Sequence, residues 1–266
     1  VGAARAEVGV SPPSPLDGIT LDGYARMRGV TLALPIPTVG RMLPAQLALG
    51  PQDLTPAGTH PVTLLFYDVI EARMSFPSPL PPLTYREHIV AIPYTLATCG
   101  DPRCDGHGPL VYMPTLRLDN VFAVNGGVAL WGFAKRLADI VETTTAYDVH
   151  DRDGGRISSF EYAPDGGYRP PEAFAHFAKL RAALDQPVVS RFPMARGPYI
   201  AASRFDRRWR DAGVRALPGV VRVLQEYVPG LDPQTHPVVG LDASPLGGFE
   251  IAAHWRLGLP FPVTRL

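Results

Sequence analysis

Alternating and continuous apolar segments, rather than a helical period, dominate this chain. Residues 61–74, PVTLLFYDVIEARM, are β-branched and aromatic and predict a buried strand. Residues 24–34, YARMRGVTLAL, predict the first strand. In residues 84–94, TYREHIVAIPY, Tyr85, Glu87 and Ile89 alternate with Arg86, His88 and Val90. One strand face therefore carries a glutamate among apolar side chains. A further strand over 110–116 completes a hairpin with it. Residues 138–147 and 155–162 read as paired strands around the turn DVHDRDGG. Three more strands are expected over 199–205, 220–227 and 249–257.

Helical signals are few. Residues 37–44 predict a short helix capped by Thr38 and stopped by Pro44. Residues 171–184 give the clearest helix, with Ala173, Phe177, Leu180 and Leu184 on one face behind Pro170-Pro171-Glu172. Strands throughout with a few inserted helices predict an α+β fold. The chain shows no internal repeat and no mid-chain linker. One domain is expected over residues 21–266, after a Pro-, Ser- and Ala-rich arm over residues 1–20.

Composition narrows the functional classes. Apolar residues make up 46% and charged residues 19%, enough for a sizeable core. The 30 prolines and 26 glycines call for many turns and short elements. A formal net charge of zero without a basic stripe argues against nucleic acid and anionic membrane as partners. No apolar run approaches the roughly 20 residues that span a bilayer. The first residues have neither a basic start nor a long apolar core, so no export signal is read there and a cytoplasmic location is expected. Cys99 and Cys104, with Asp101, Asp105 and His107 nearby, fit no standard zinc pattern. They read as free thiols in a polar turn, with a local disulfide as the alternative.

The candidate chemistry centres on one lysine. Of the 25 Lys and Arg residues only Lys135 and Lys179 are lysines. Arg stays charged, whereas a lysine in an apolar site can lose its proton and act as a nucleophile. Lys179 falls on the expected 171–184 helix and reads as a solvated surface residue. Lys135 follows Trp131-Gly132-Phe133-Ala134 and precedes Arg136. On spacing alone it also suits a surface Lys-Arg pair. The cluster Arg207-Arg208-Trp209-Arg210 reads as a solvated connection.

The segment Leu118-Asp119-Asn120, then Gly127, then Leu130-Trp131-Gly132-Phe133-Ala134-Lys135-Arg136-Leu137 resembles the acetoacetate decarboxylase-like superfamily. The resemblance implies a mostly antiparallel sheet curled into a partly closed β-barrel with peripheral helices, a reactive lysine inside, and commonly a homo-oligomer. It matches Lys135 to the Schiff-base lysine and Arg136 to the neighbouring cation; acetoacetate decarboxylase is itself the standard case of a lysine activated beside a cation. It matches Glu87 to a glutamate pointing into the active site. It implies a small-molecule keto acid as the partner, no cofactor and no metal. It places Tyr85, Trp131 and Phe133 beside the substrate, with a carboxylate-binding arginine on the first strand, Arg26 or Arg28. The implied reaction is decarboxylation of a keto acid, with aldol condensation and dehydration of a 2-oxo acid such as pyruvate, or non-catalytic binding of a small molecule, as alternatives. Lowering a lysine pKa from about 10.4 to about 7 takes roughly 4.6 kcal/mol, which burial alone can supply.

The motif also departs from the family. Val128-Ala129 stand where an Arg-Glu pair is common, and Ala134 stands where a proline precedes the lysine. Loss of that charged pair is expected to make the pocket more apolar.

Overall fold

A computed structural model of the chain describes residues 18–75, 81–100, 102, 104–191 and 200–266. The expected arm over 1–20 lies almost wholly outside the described residues, as do residue 199 of the 199–205 strand and much of the Pro-rich loop after Ser75. Seventeen strands appear among the described residues. The first five are β1 (Thr20–Pro35), β2 (Leu47–Leu49), β3 (Thr59–Met74), β4 (Leu83–Ala97) and β5 (Leu110–Leu118). Next come β6 (Lys135–Glu142), β7 (Ala146–Asp151), β8 (Arg156–Tyr162), β9 (Asp165–Arg169), β10 (Val188–Arg191), β11 (Ile200–Ser203) and β12 (Phe205–Arg207). The last are β13 (Gly213–Ala216), β14 (Gly219–Val223), β15 (Gln234–Val238), β16 (Phe249–Gly258) and β17 (Phe261–Pro262). The α-helices are short: α1 (Ile36–Met42), α2 (Val121–Gly126) and α3 (Phe177–Leu184).

Antiparallel pairing gives the order β16–β1–β3–β4–β5. Beyond β5 runs β10 in parallel, then β11. The chain then turns back so that β11 pairs with β17 and β12 with β16. The sheet thus curls into a partly closed barrel, as expected. β6 starts parallel to β5 and then leaves it to lead a smaller antiparallel sheet, β6–β7–β8–β14–β15.

Both faces of the long strands are buried, which is why they read as near-continuous apolar runs. Odd positions, including Met27, Leu65, Tyr67, Tyr85 and Ile89, join the core inside the barrel. Even positions, including Val30, Leu64, Phe66 and Val90, join a second core against the smaller sheet. His88, also on the even side, is fully buried, and that burial pushes its pKa down to about 3. Its ring contacts the Leu65 carbonyl and the Tyr227 hydroxyl.

Several elements differ from the sequence pattern. The 171–184 segment splits into a 3₁₀ turn, Pro171–Ala173, and α3. Phe174 between them is extended and buries its ring beneath the Arg169 guanidinium at 4.2 Å, so packing overrides the helical period. The 138–147 segment is two strands, because Thr143 turns the chain: its amide reaches the Ala146 carbonyl and its hydroxyl accepts from Thr145. α1 starts at Ile36 with no side-chain cap, so Thr38 lies within it. Its end follows the expectation, since Leu43 before Pro44 is extended. Cys99 and Cys104 are not free thiols but a disulfide, with Cα atoms 5.9 Å apart. Cys104 is buried in a small cluster with Leu47, Ala97 and Leu110, which draws the loop against β2, β4 and β5. Among the described residues no helix is long and apolar enough to cross a membrane.

Candidate active site

The Leu118-Asp119-Asn120 segment has a mechanical role. Leu118 is buried at the end of β5. The Asp119 carboxylate accepts the Arg86 amide at 2.8 Å and so ties β5 to β4. The Asn120 side chain accepts the Phe122 and Ala123 amides and caps α2. α2 passes into a single π-helical turn, Gly127–Trp131, which ends at Gly132 with φ 67°. A left-handed residue there favours glycine. Trp131 Nε1 donates to the Gly258 carbonyl at 2.9 Å, pinning this turn to the end of β16. The chain then enters β6 at Lys135.

The barrel encloses a cavity of about 360 Å³ whose wall is mostly apolar, within the size range of small-molecule sites. Lys135, Glu87, Tyr85, Trp131 and Phe133 all line it. Lys135 Nζ lies 3.1 Å from Glu87 Oε1, and the two side chains are only 8% and 7% exposed. The contact is a charge pair rather than an aligned hydrogen bond. Burial holds the Glu87 carboxyl above the ordinary carboxylate range, against the opposing pull of Lys135. Nζ also lies 5.7 Å from the centre of the Tyr85 ring. Burial first, and then the Glu87 charge, keep the Tyr85 phenol protonated well above its usual pKa. Phe122 and Leu130 border the cavity while remaining largely exposed.

The remaining predicted residues lie elsewhere. Arg26 and Arg28 occupy even positions of β1 and fall on the face away from the cavity. Arg28 is buried there among Asp68, Glu142 and Glu250, and Arg26 pairs with Asp68 at 3.1 Å. Strand periodicity thus separates both from Lys135. Arg136 is the next residue after Lys135 on β6, so it faces outward and is exposed, in register beside Arg117. Val128 and Ala129 are exposed on the outer side of the π-turn and do not line the cavity, so their apolar character does not alter its wall.

Two wall residues escaped the sequence pattern, and a third, Gly127, was read only as part of the motif. Tyr67 lies in register with Glu87 on the neighbouring strand. Arg207, expected in a solvated turn, is instead the last residue of β12 and only 8% exposed. The signal was an alternation: Phe205, Arg207 and Trp209 face inward, while Asp206, Arg208 and Arg210 are exposed. Gly127 packs directly on the Lys135 stem. A Cβ added there would stand 2.4 Å from Lys135 Cδ and 2.5 Å from Cε. Its φ of −67° is ordinary, so this glycine serves space alone. Gly127→Ala is expected to push the amine aside and slow any reaction at Lys135 by roughly 10²-fold, the usual effect of a 1 Å misplacement. Ketone-trapping rates should fall while the melting temperature stays near the parent's. An unchanged rate would show that the stem adapts without moving the amine.

No family model matches the chain, and no curated protein matches it in sequence. Solved structures match it in fold. The enduracididine biosynthesis enzyme MppR complexed with pyruvate aligns with a TM-score of 0.57 at 13% identity, over 97% of this chain and 93% of that one. Acetoacetate decarboxylase from Legionella pneumophila aligns with a TM-score of 0.57 at 15% identity, over 98% and 96%. An acetoacetate decarboxylase-like enzyme from Sphingomonas wittichii aligns with a TM-score of 0.56 at 14% identity, over 97% and 98%. The chain has the acetoacetate decarboxylase-like fold. The likeness runs nearly end to end. At these identities the likeness is one of fold.

Proposed function

We propose that the chain is a cofactor-independent lyase that decarboxylates a keto acid through a Schiff base on Lys135. The observation that carries this reading is the buried Lys135–Glu87 pair on the wall of an apolar cavity. A carboxylate held above its ordinary pKa can take the proton that Lys135 must shed. The free amine then adds to the substrate ketone. Glu87 returns the proton to the carbinolamine hydroxyl, which leaves as water and gives an iminium. The bond between the α-carbon and a β-carboxylate breaks, carbon dioxide leaves, and the electron pair moves into the iminium as an enamine. Protonation of that carbon and hydrolysis release the ketone and restore the amine. An apolar wall assists, because a carboxylate stripped of water loses charge as it becomes carbon dioxide.

A second reading is favoured by one neighbour. MppR was solved with the condensation product of pyruvate and imidazole 4-carboxaldehyde. The same lysine and glutamate could serve a condensation of a 2-oxo acid with an aldehyde.

Borohydride reduction in the presence of acetoacetate, and separately pyruvate, followed by peptide mass analysis, tests the shared step. Addition on the Lys135 peptide is expected. Carbon dioxide release from β-keto acids then supports the lyase, and carbon–carbon bond formation from pyruvate plus an aldehyde supports the alternative. No addition on any lysine across a panel of keto acids would remove the Schiff-base reading. Glu87→Gln keeps the side-chain shape but removes the proton acceptor. It should slow trapping by about 10²- to 10⁴-fold, the ordinary range for general acid–base assistance. A trapping rate equal to the parent's would take Glu87 out of the proton path.

A further inference from the structure

We propose that Arg207 is the anion-binding residue of the cavity, and that the ligand taken there is a carboxylate on an apolar chain. Arg207 lies in register with Trp255 on β16 and lines the cavity together with Phe205. Its guanidinium carbon stands 4.2 Å from the centre of the Phe205 ring. Its polar partners are both neutral: the Leu184 carbonyl at 2.6 Å and the Tyr67 hydroxyl at 3.4 Å. Among the described residues it forms no ion pair with a carboxylate.

That sets it apart from the other buried cations. Arg28 has Asp68, Glu142 and Glu250, Arg117 has Asp151, and Lys135 has Glu87. Buried charges are ordinarily paired, because desolvation of a lone charge is costly. A guanidinium presents donors in a planar fork that matches a carboxylate. The wall of the cavity that both residues line also includes Leu65, Val111, Leu184, Val188, Trp255 and Leu257. An organic acid with an apolar body satisfies both features, whereas inorganic phosphate would satisfy only the charge.

The chemistry also says which carboxylate is bound. Lys135 Nζ meets Glu87 on β4, whereas Arg207 meets Tyr67 on β3, and Tyr67 is the register partner of Glu87. The ketone site and the anion site thus lie on neighbouring strands of one wall. The extension to a substrate rests on the Schiff-base reading of Lys135; the anion site itself does not. On that reading the substrate is an oxo diacid: its β-carboxylate leaves as carbon dioxide, and a second carboxylate, held at Arg207, is retained. Holding the departing carboxylate by a guanidinium would stabilise the ground state more than the transition state.

Calorimetric titration of the full chain with hexanoate, and with hexanamide as the neutral analogue, separates the anion site from the imine chemistry. The parent should bind hexanoate about 10- to 100-fold more tightly, as expected for a charge-assisted hydrogen-bonded contact. Arg207→Met should abolish the preference and Arg207→Lys should retain part of it. Equal affinity for the two, no measurable binding of either, or an undiminished preference in Arg207→Met overturns the proposal. Should Arg207→Met fail to fold, the parent's preference and that of Arg207→Lys decide it. A second arm compares borohydride trapping of 5-oxohexanoate and 2-hexanone. Arg207→Met should slow trapping of the acid about 10-fold or more relative to the neutral ketone, and equal slowing of the two would count against the proposal. If the parent traps neither ketone, the Schiff-base reading fails while the hexanoate titration still decides Arg207.

Discussion

Replacing Lys135 with Met should leave no adduct that borohydride can fix, whatever ketone is offered, and should lower keto-acid turnover by roughly 10⁴- to 10⁶-fold, the scale seen when a covalent nucleophile is removed. The chain is suited to this test. Its other lysine, Lys179, lies on α3, half exposed and paired with Asp53 at 3.0 Å, so it serves as an internal control. Met retains the length and much of the shape of the Lys135 stem, so the packing against Gly127 is kept. The substitution leaves Glu87 buried without its cation. Burial already raises that carboxyl, and losing the opposing pull of Lys135 raises it further. An acid whose folded pKa lies above its unfolded value makes the folded state less stable as pH rises through the interval between them. The variant should therefore match the parent in stability at mildly acidic pH and fall below it toward neutral pH, which urea titration at the two pH values will measure. Turnover persisting in Lys135→Met, or an adduct on Lys179, would sink the assignment.

The legible and illegible parts of this chain divide along physical lines. The long strands were readable because both of their faces are buried, and their runs of Val, Ile, Leu and aromatic residues exceed what a loop carries. The lysine segment was readable through scarcity and resemblance together: one lysine among apolar neighbours, in a recognisable Trp-Gly-Phe setting. Short edge strands such as β9, DGGYR, were not, because every residue in it is exposed and no alternation marks it. Arg207 was hidden for a different reason. Charged residues on both sides of it suggest solvent, and only the inward spacing of Phe205 and Trp209 betrays a strand continuing into a turn. Arg26 and Arg28 show the opposite case. Resemblance placed an arginine on the first strand, but the alternation that puts Met27 inside the barrel puts Arg28 outside it.

Arg28 instead holds a buried ion cluster together, and Arg28→Met should destabilise the fold by about 3–5 kcal/mol at neutral pH, the usual result of stripping the partner from buried charges. Its guanidinium reaches Asp68 at 2.9 Å, Glu142 at 2.6 Å and Glu250 at 3.1 Å, joining β1 to β3, β6 and β16. Burial alone would lower the Arg28 pKa, but Asp68, Glu250, Tyr162 and Glu142 together hold it above the ordinary value. Burial likewise pushes on Glu142, yet Arg28 and its other partners carry that carboxyl below its usual range, while Asp68, more enclosed, remains above it. Removing Arg28 takes the attractive contribution from all three acids, so the folded pKa values of Asp68 and Glu142 rise. Arg26, Arg86 and Arg215 still touch the cluster, but each is partly exposed and none bridges all three carboxylates. The loss should accordingly be greatest at neutral pH and shrink as pH falls below about 4, as the carboxyls become protonated in folded and unfolded chains alike. Arg28→Lys should fall between, since one ammonium keeps the charge but cannot span three carboxylates as a planar fork does. Urea midpoints at the two pH values separate charge from packing: a loss that is the same at both would assign the effect to the contacts with Tyr147 and Tyr162, whose rings lie 5.9 Å and 5.3 Å from the guanidinium, rather than to the ion cluster.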